Sequence, residues 1–168
     1  RVQRTHQLLR QAAIETMNEK GFMAMTIQDI ADRANVNRGT FYAHYPDKYA
    51  LLDELIHDQF QALLKMSLPP EPRWNTQTLR LLVKVVLEHF EDEYRQCDPS
   101  EVVDPLIERA TKDALADLLL TWLKQEKSAG ADFRVPVETI ARVVSWTILG
   151  AAVHWYQEGI KLSAEQVA

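Results

Sequence analysis

Cysteine is almost missing from this chain: Cys97 stands alone among 168 residues. A single thiol excludes an internal disulfide framework and a cysteine-rich zinc site, and it suits a reducing cytoplasm. Glycine is scarce too, with five residues, and no alternating apolar–polar run bounded by turn residues is found. A sheet architecture is therefore not expected. Long hydrophobic runs are lacking as well. The longest stretch free of Asp, Glu, Lys and Arg covers residues 143–157 and includes Ser145, Thr147 and His154. It is short for a membrane span and reads as a buried helix, so no membrane association is expected. No secretory leader is read at Arg1, and a chain that does not start with methionine is expected to have its natural start upstream. Phosphate loops, nucleophile elbows and paired-carboxylate motifs are missing, so neither an enzyme nor a cofactor is expected.

A basic balance is also lacking, since the net charge is −5. The distribution says more than the total. Residues 1–50 carry seven Lys/Arg against five Asp/Glu, whereas residues 51–168 carry twelve against nineteen. Any nucleic-acid surface therefore belongs at the front of the chain.

What is present is helical periodicity. Leu9, Ala12, Ala13, Thr16 and Met17 fall three or four apart, which predicts a helix over 2–20 that stops at Gly21. Thr26 with Asp29 is a capping-box variant that starts a short helix over 27–34. The turn Asn35, Val36, Asn37 follows, and Asn37 caps a third helix over 38–44. Tyr45-Pro46 ends it, because the residue before proline disfavours helical dihedrals. Asp47 caps a fourth helix over 48–66, with Leu51, Leu52, Leu55, Ile56, Phe60 and Leu63 as its stripe. Pro69, Pro70 and Pro72 form the one proline-dense break. A fifth helix follows Asn75, and Asp98-Pro99 and Asp104-Pro105 are both possible starts for a sixth, which runs to about 127 before Gly130. Pro136 opens a helix to about 158, ended by Gly159, and Ser163 with Gln166 begins another that is expected to continue past this chain.

The predicted fold is all-α: an N-terminal three-helix bundle over 1–47 with a helix-turn-helix, then a larger helical domain over 48–168. Two short helices behind a longer one suit DNA docking, with the Asn37 end of the second entering the major groove. Arg38 is a bidentate donor of the kind that reads a guanine edge. Gly39 allows close approach. Thr40, Tyr42 and His44 present donors suited to phosphate oxygens, and Lys48 lies at a helix start that attracts a phosphate. Ile30, Ala31, Val36, Phe41 and Tyr45 are spaced to form the small core between these helices.

The stretch Thr26-Ile-Gln-Asp-Ile-Ala-Asp-Arg-Ala-Asn-Val-Asn-Arg-Gly-Thr-Phe-Tyr-Ala-His-Tyr-Pro-Asp-Lys48, followed by Leu51-Leu52, closely resembles the signature of the TetR/AcrR family of bacterial transcriptional regulators. About fifteen positions agree in type and spacing. The resemblance implies that Thr26, Arg38, Thr40, Tyr42, His44 and Lys48 contact DNA, with Tyr42 and Lys48 on the backbone. Asn35 stands where the family's turn usually has glycine, and Asn37 where serine is common. Asparagine tolerates the left-handed turn and caps helices well, so the fold is expected to survive both changes.

The helix after Pro136 is apolar nearly all round from 143 to 156, with Gly150, Ala151 and Ala152 at one level. Burial on two sides is expected when one face meets the domain core and another a second chain. Val143, Thr147, Gly150, Ala151, His154 and Trp155 are the candidate homodimer interface. The resemblance implies pairing through the last two long helices as a four-helix bundle, and hence a near-palindromic operator. It also implies a small-molecule effector cavity among the fifth to eighth helices. His89, Phe90, Tyr94, Trp122, Trp146 and Thr147 are its candidate lining. His89 with Glu93 and His154 with Glu158 have metal-ligand spacing but no third ligand, so no metal site is expected. The expectation is a cytoplasmic, ligand-responsive repressor of transcription that binds double-stranded DNA as a homodimer. The alternative is a regulator of the same fold acting mainly through a protein co-regulator.

Overall fold

The computed structural model describes residues 2–96, 104–157 and 162–168, with backbone alone at 92–96 and 104. Cys97, Asp98-Pro99, Glu158 and Gly159, together with the side chains of Glu93 and Tyr94, lie outside the described residues. Among those described there are eight helices and no strand: α1 (Val2–Ala24), α2 (Ile27–Arg33), α3 (Arg38–Tyr42), α4 (Lys48–Ser67), α5 (Thr76–Gln96), α6 (Asp104–Ser128), α7 (Val137–Gln157) and α8 (Ala164–Val167). No described helix is long and apolar enough to cross a membrane.

Local chemistry sets the boundaries. Gly21, at φ 76° and ψ 158°, interrupts the ladder of α1 where a glycine stop is expected. Thr26 caps α2 through a full capping box with Asp29. Asn35 carries the left-handed turn at φ 53°, a conformation asparagine adopts more readily than most residues. Asn75 accepts from the Thr78 amide at 2.9 Å and so caps α5. At the end of α6, Gly130 at φ 100° closes a Schellman turn, with Ala131 N–H donating to Glu126 O and Gly130 N–H to Lys127 O.

The chain forms two compact units, Arg1–Leu55 and Ile56–Ala168. The division falls inside α4, eight residues beyond the 47/48 boundary expected from the sequence. The physical reason is that the first two turns of α4 complete the small core: Leu51 and Leu52 are buried, as are Leu9, Ile30, Ala31 and Phe41. In this unit α1 packs on α2 and α2 on α3. Val36, expected in this core, is only half-buried.

In the second unit α6 packs along α7, and α5 meets α7 and α8. Phe60, Leu64, Leu82, Val86, Phe90, Leu115, Leu119 and Trp122 are buried at its centre. Burying a Leu or Phe side chain contributes roughly 1.5–3 kcal/mol, so this cluster is the main source of the unit's stability.

Candidate nucleic-acid interface

The interface is built from the second short helix. Phe41 is fully buried and anchors α3 to the core, with Ile30 and Ala31 of α2 beneath it. One helical turn earlier, Asn37, Arg38 and Gly39 are all exposed. The end that the sequence pattern sends into a groove thus faces outward from its own unit.

Asn37 holds that end in shape. Its side-chain oxygen accepts from the Thr40 amide at 2.8 Å and from the Thr40 hydroxyl at 3.1 Å. Gly39 has a local reason to be glycine, since a Cβ there would lie 3.2 Å from this same oxygen. Arg38 Nη2 donates to the Tyr42 hydroxyl at 3.0 Å, and its guanidinium carbon lies 5.5 Å from the ring centre. Tyr42 is 46% exposed. Both side chains are therefore held on the outer face one turn apart. His44 is half-buried, its ring 5.9 Å from that of His6.

Thr26 is exposed, and its hydroxyl both accepts from the Asp29 amide at 3.2 Å and donates to Asp29 Oδ2 at 2.5 Å. Lys20 reaches the same carboxylate at 2.7 Å. Lys20 and the Thr26 hydroxyl and amide hold the Asp29 carboxyl well below the usual range. Lys48 is half-buried, and its ammonium donates to the carbonyls of Phe22, Met23 and Met25. Loss of solvent lowers its pKa. Asp47 caps α4 by accepting from the Ala50 amide at 2.8 Å.

A polar network that sequence reasoning missed ties these parts together. Glu54 of α4 pairs with Arg10 of α1 and lies 3.1 Å from His6 Nε2. Tyr45, just after α3, donates to Glu54 at 3.2 Å and lies 2.7 Å from His6. Burial first, and then the charge of Glu54, raise the Tyr45 phenol well above its ordinary value. Arg33 of α2 pairs with Glu15 and Glu19 of α1 in the same way. These partners are 9 to 48 residues apart, and no local signal announces them.

In the second unit the outer face of α7 differs from expectation. Val143 (59% exposed), Trp146 (62%), Thr147, Gly150, Ala151 and His154 share one exposed stripe. Trp155 does not belong to it: it is 7% exposed, sits in the core and donates its indole N–H to Leu162 O at 2.8 Å. At about 100° per residue Trp146 and Trp155 fall about 40° beyond opposite edges of the arc from Gly150 to Ala151, so helical spacing alone does not say which of them faces out.

The expected effector lining is not brought together either. Phe90 and Trp122 are fully buried in the packed core, and the His89 ring lies tilted against that of Phe60, with centroids 4.9 Å apart. Trp146 and Thr147 face out, with the Lys112 ammonium 4.9 Å over the Trp146 ring. Trp122 also forms the floor of an open groove of about 460 Å³ between the proline-rich segment at Pro70 and Pro72 and the end of α6.

Residues 9–55 match the family model of bacterial regulatory proteins, tetR family. Across 95% of this chain and 82% of the relative, the sequence is 26% identical to the HTH-type transcriptional repressor KstR2 of Mycolicibacterium smegmatis. A 57-residue stretch, 33% of this chain and 15% of the relative, is 40% identical to the HTH-type transcriptional regulator YxbF of Bacillus subtilis. Among solved structures, the TetR-family repressor FadR of Thermus thermophilus, in complex with lauroyl-CoA, matches in fold with a TM-score of 0.61. The two are 22% identical, over 96% of this chain and 88% of that one.

Proposed function

We propose, for a chain that belongs to the tetR family of bacterial regulatory proteins, that it is a cytoplasmic repressor which pairs into a homodimer, grips a near-palindromic operator and lets go when a small molecule binds. The observation that carries this reading is the outward-facing Asn37 end of α3, capped and anchored from behind by buried Phe41. A rigid helix end with an exposed arginine supplies base readout, and flanking hydroxyls supply phosphate contacts. Arg38 takes the reading role, with Thr26, Asn37, Thr40, Tyr42, His44 and Lys48 beside it on the backbone, and Gly39 leaves room for the cap.

The stripe on α7 supports pairing. Val143 and Trp146 present large apolar surfaces, while Gly150 and Ala151 let a second helix come close. A two-fold pair of reading helices requires half-sites about one helical turn, or a multiple, apart.

Selection from randomised duplexes, followed by footprinting of the winner, tests the proposal. Enrichment of a two-fold motif is expected, and retention of every sequence with equal affinity would overturn it. The FadR relative was solved with lauroyl-CoA, so acyl-CoA thioesters of graded length are the first compounds to titrate against the DNA complex. Release of DNA by one chain length is the expected result. The scattered placement of Phe90, Trp122, Trp146 and Thr147 favours a second reading, in which a protein co-regulator takes the effector's place. Release by a partner protein and by none of the thioesters would select it.

A further inference from the structure

We infer that Glu54 is a positioning residue for DNA recognition: it fixes the angle at which α3 stands on α4, and with it the half-site spacing that a paired protein accepts. Paired binding to DNA rests on the function proposed above; the tie is how this chain holds its reading helix at one angle.

Three segments of the first unit converge on this one carboxylate. His6 and Arg10 stand four apart on one face of α1. Arg10 pairs with Glu54, and His6 Nε2 lies 3.1 and 3.3 Å from its two oxygens. Tyr45, from beyond α3, donates its hydroxyl at 3.2 Å. Its ring stacks on that of His6 with centroids 5.3 Å apart. Burial and the Glu54 charge raise the Tyr45 phenol, so it stays a donor through neutral pH. Tyr45 in turn moves with the reading helix, because its amide donates to Phe41 O at 2.9 Å. Glu54 therefore reaches α1 directly and α3 through one residue.

Leu51 and Leu52 already bury the start of α4 in the small core. Apolar attraction has no direction, however, and leaves an angle free to rock. Charge-assisted hydrogen bonds hold one. The Glu54 and Arg10 side chains are 35% and 22% exposed, and ion pairs open to water add little to stability. What this carboxylate supplies is direction. It does so one residue before the end of the first unit, on a helix that runs on to place Phe60 and Leu64 in the core of the second.

The test uses the full chain and the two-fold motif selected from randomised duplexes, with one base pair added or removed between its half-sites. Each such change shifts one half-site by about 3.4 Å and turns it by about 35°. A head held at one angle misses the moved half-site, and a head free to rock follows it. Wild type is expected to lose at least about tenfold in affinity on either altered duplex. Glu54→Gln keeps the shape and gives up the charge. It should lose less than about threefold on the altered duplexes, with nearly the wild-type urea midpoint. A lowered midpoint with the wild-type spacing preference would make Glu54 a stabilising residue only and overturn the inference. Arg10→Gln removes one partner of the carboxylate and should relax the preference part of the way, so the test stands even where Glu54→Gln does not fold.

A measurement without DNA reads the tie itself. Asn18 of α1 and Gln59 of α4 are both exposed, and nitroxides placed there as Asn18→Cys and Gln59→Cys, in a Cys97→Ser background, report the distance between the two helices. Diluted with unlabelled chain, the pair should give one narrow distance distribution that broadens when Glu54→Gln is added. An equally narrow distribution in both also overturns the tie. If selection enriches no two-fold motif, the functional reading fails, while the spin-label distances still decide whether Glu54 holds the angle.

Discussion

Asn37 and Thr40 are joined twice, the asparagine side-chain oxygen accepting both the amide and the hydroxyl of the threonine, at 2.8 and 3.1 Å. The first turn of a five-residue helix depends on that one oxygen. An N-cap is worth about 1 kcal/mol. Asn37→Ala is therefore expected to lower unfolding stability by about that amount, and Asn37→Ser to restore most of it. Gly39→Ala should behave like a weakened Asn37, since its methyl group would sit 3.2 Å from the capping oxygen. Urea denaturation of the three variants checks this. Equal stability for Asn37→Ala and wild type would mean that the cap contributes nothing.

The proposed function divides the work of binding between Arg38 and Tyr42. Arg38→Ala is expected to cost about 1–3 kcal/mol of discrimination between the selected operator and a duplex altered in one base pair. Tyr42→Phe removes one hydroxyl and releases Arg38 from its 3.0 Å hydrogen bond. It should weaken binding to all sequences by a factor of about two to ten. Gel-shift titrations on matched and mismatched duplexes separate the two behaviours, and identical discrimination in Arg38→Ala would refute the reading role.

Acid should loosen the first unit through Asp29. Its carboxyl is depressed by Lys20 first and by the Thr26 bonds next, from an unfolded value near 3.8. A depressed carboxyl stabilises the fold above its unfolded pKa, and that contribution fades as pH falls below it. Thermal melts from pH 5 downward should therefore fall less steeply for Asp29→Asn than for wild type. Parallel curves would mean that the Lys20–Asp29–Thr26 group carries no linkage.

Alkali should act through Tyr45. Burial and Glu54 raise its phenol above the unfolded value of 10.0. A raised pKa means stability that is complete below the unfolded value and lost as pH climbs through the folded one. Tyr45→Phe cannot ionise, so its melting temperature should hold above pH 10 where that of wild type falls. Tyrosine absorbance followed in parallel would identify the ionising group, and an unchanged alkaline limb in the variant would assign the loss to another residue.

The proposed pairing through α7 is open to a clean substitution. A Cβ at Gly150 meets nothing within 4 Å in its own chain. Gly150→Glu should thus leave the monomer fold intact, because a side chain replaces a helix-interior glycine. A charge at the centre of an apolar interface nonetheless opposes association. Analytical ultracentrifugation is expected to find a monomer with a preserved far-ultraviolet helix signal and weakened operator binding. A dimer of unchanged strength would place the interface elsewhere.

Elements governed by neighbours along the chain are legible in the amino-acid sequence. Gly21, Thr26 with Asp29, Asn35, Asn37, Gly130 and Ser163 with Gln166 act within four residues of themselves, and the helix ends lie beside them. The outer face of α3 is legible for the same reason. The contacts of Lys48 and Glu54 within the fold are not, because most of their partners lie on α1 or just beyond it, 23 to 48 residues away. On α7 an apolar residue stands at nearly every position, so hydrophobicity does not tell the inner tryptophan from the outer one. Trp155 is expected outside and lies inside for that reason, while Trp146 takes the exposed place. The effector lining rests on residue type alone, and type does not say whether a Phe90 or a Trp122 borders space or fills it.

The seam between the two compact units falls between Leu55 and Ile56, inside the unbroken helix α4. Proteases cut backbone they can draw out into an extended form, which surface loops offer and helix interiors do not. Limited digestion should therefore bypass the seam and enter at residues 68–75, the next non-helical stretch. The fragment released would carry α4 whole, with Phe60 and Leu64 of the second unit's core included.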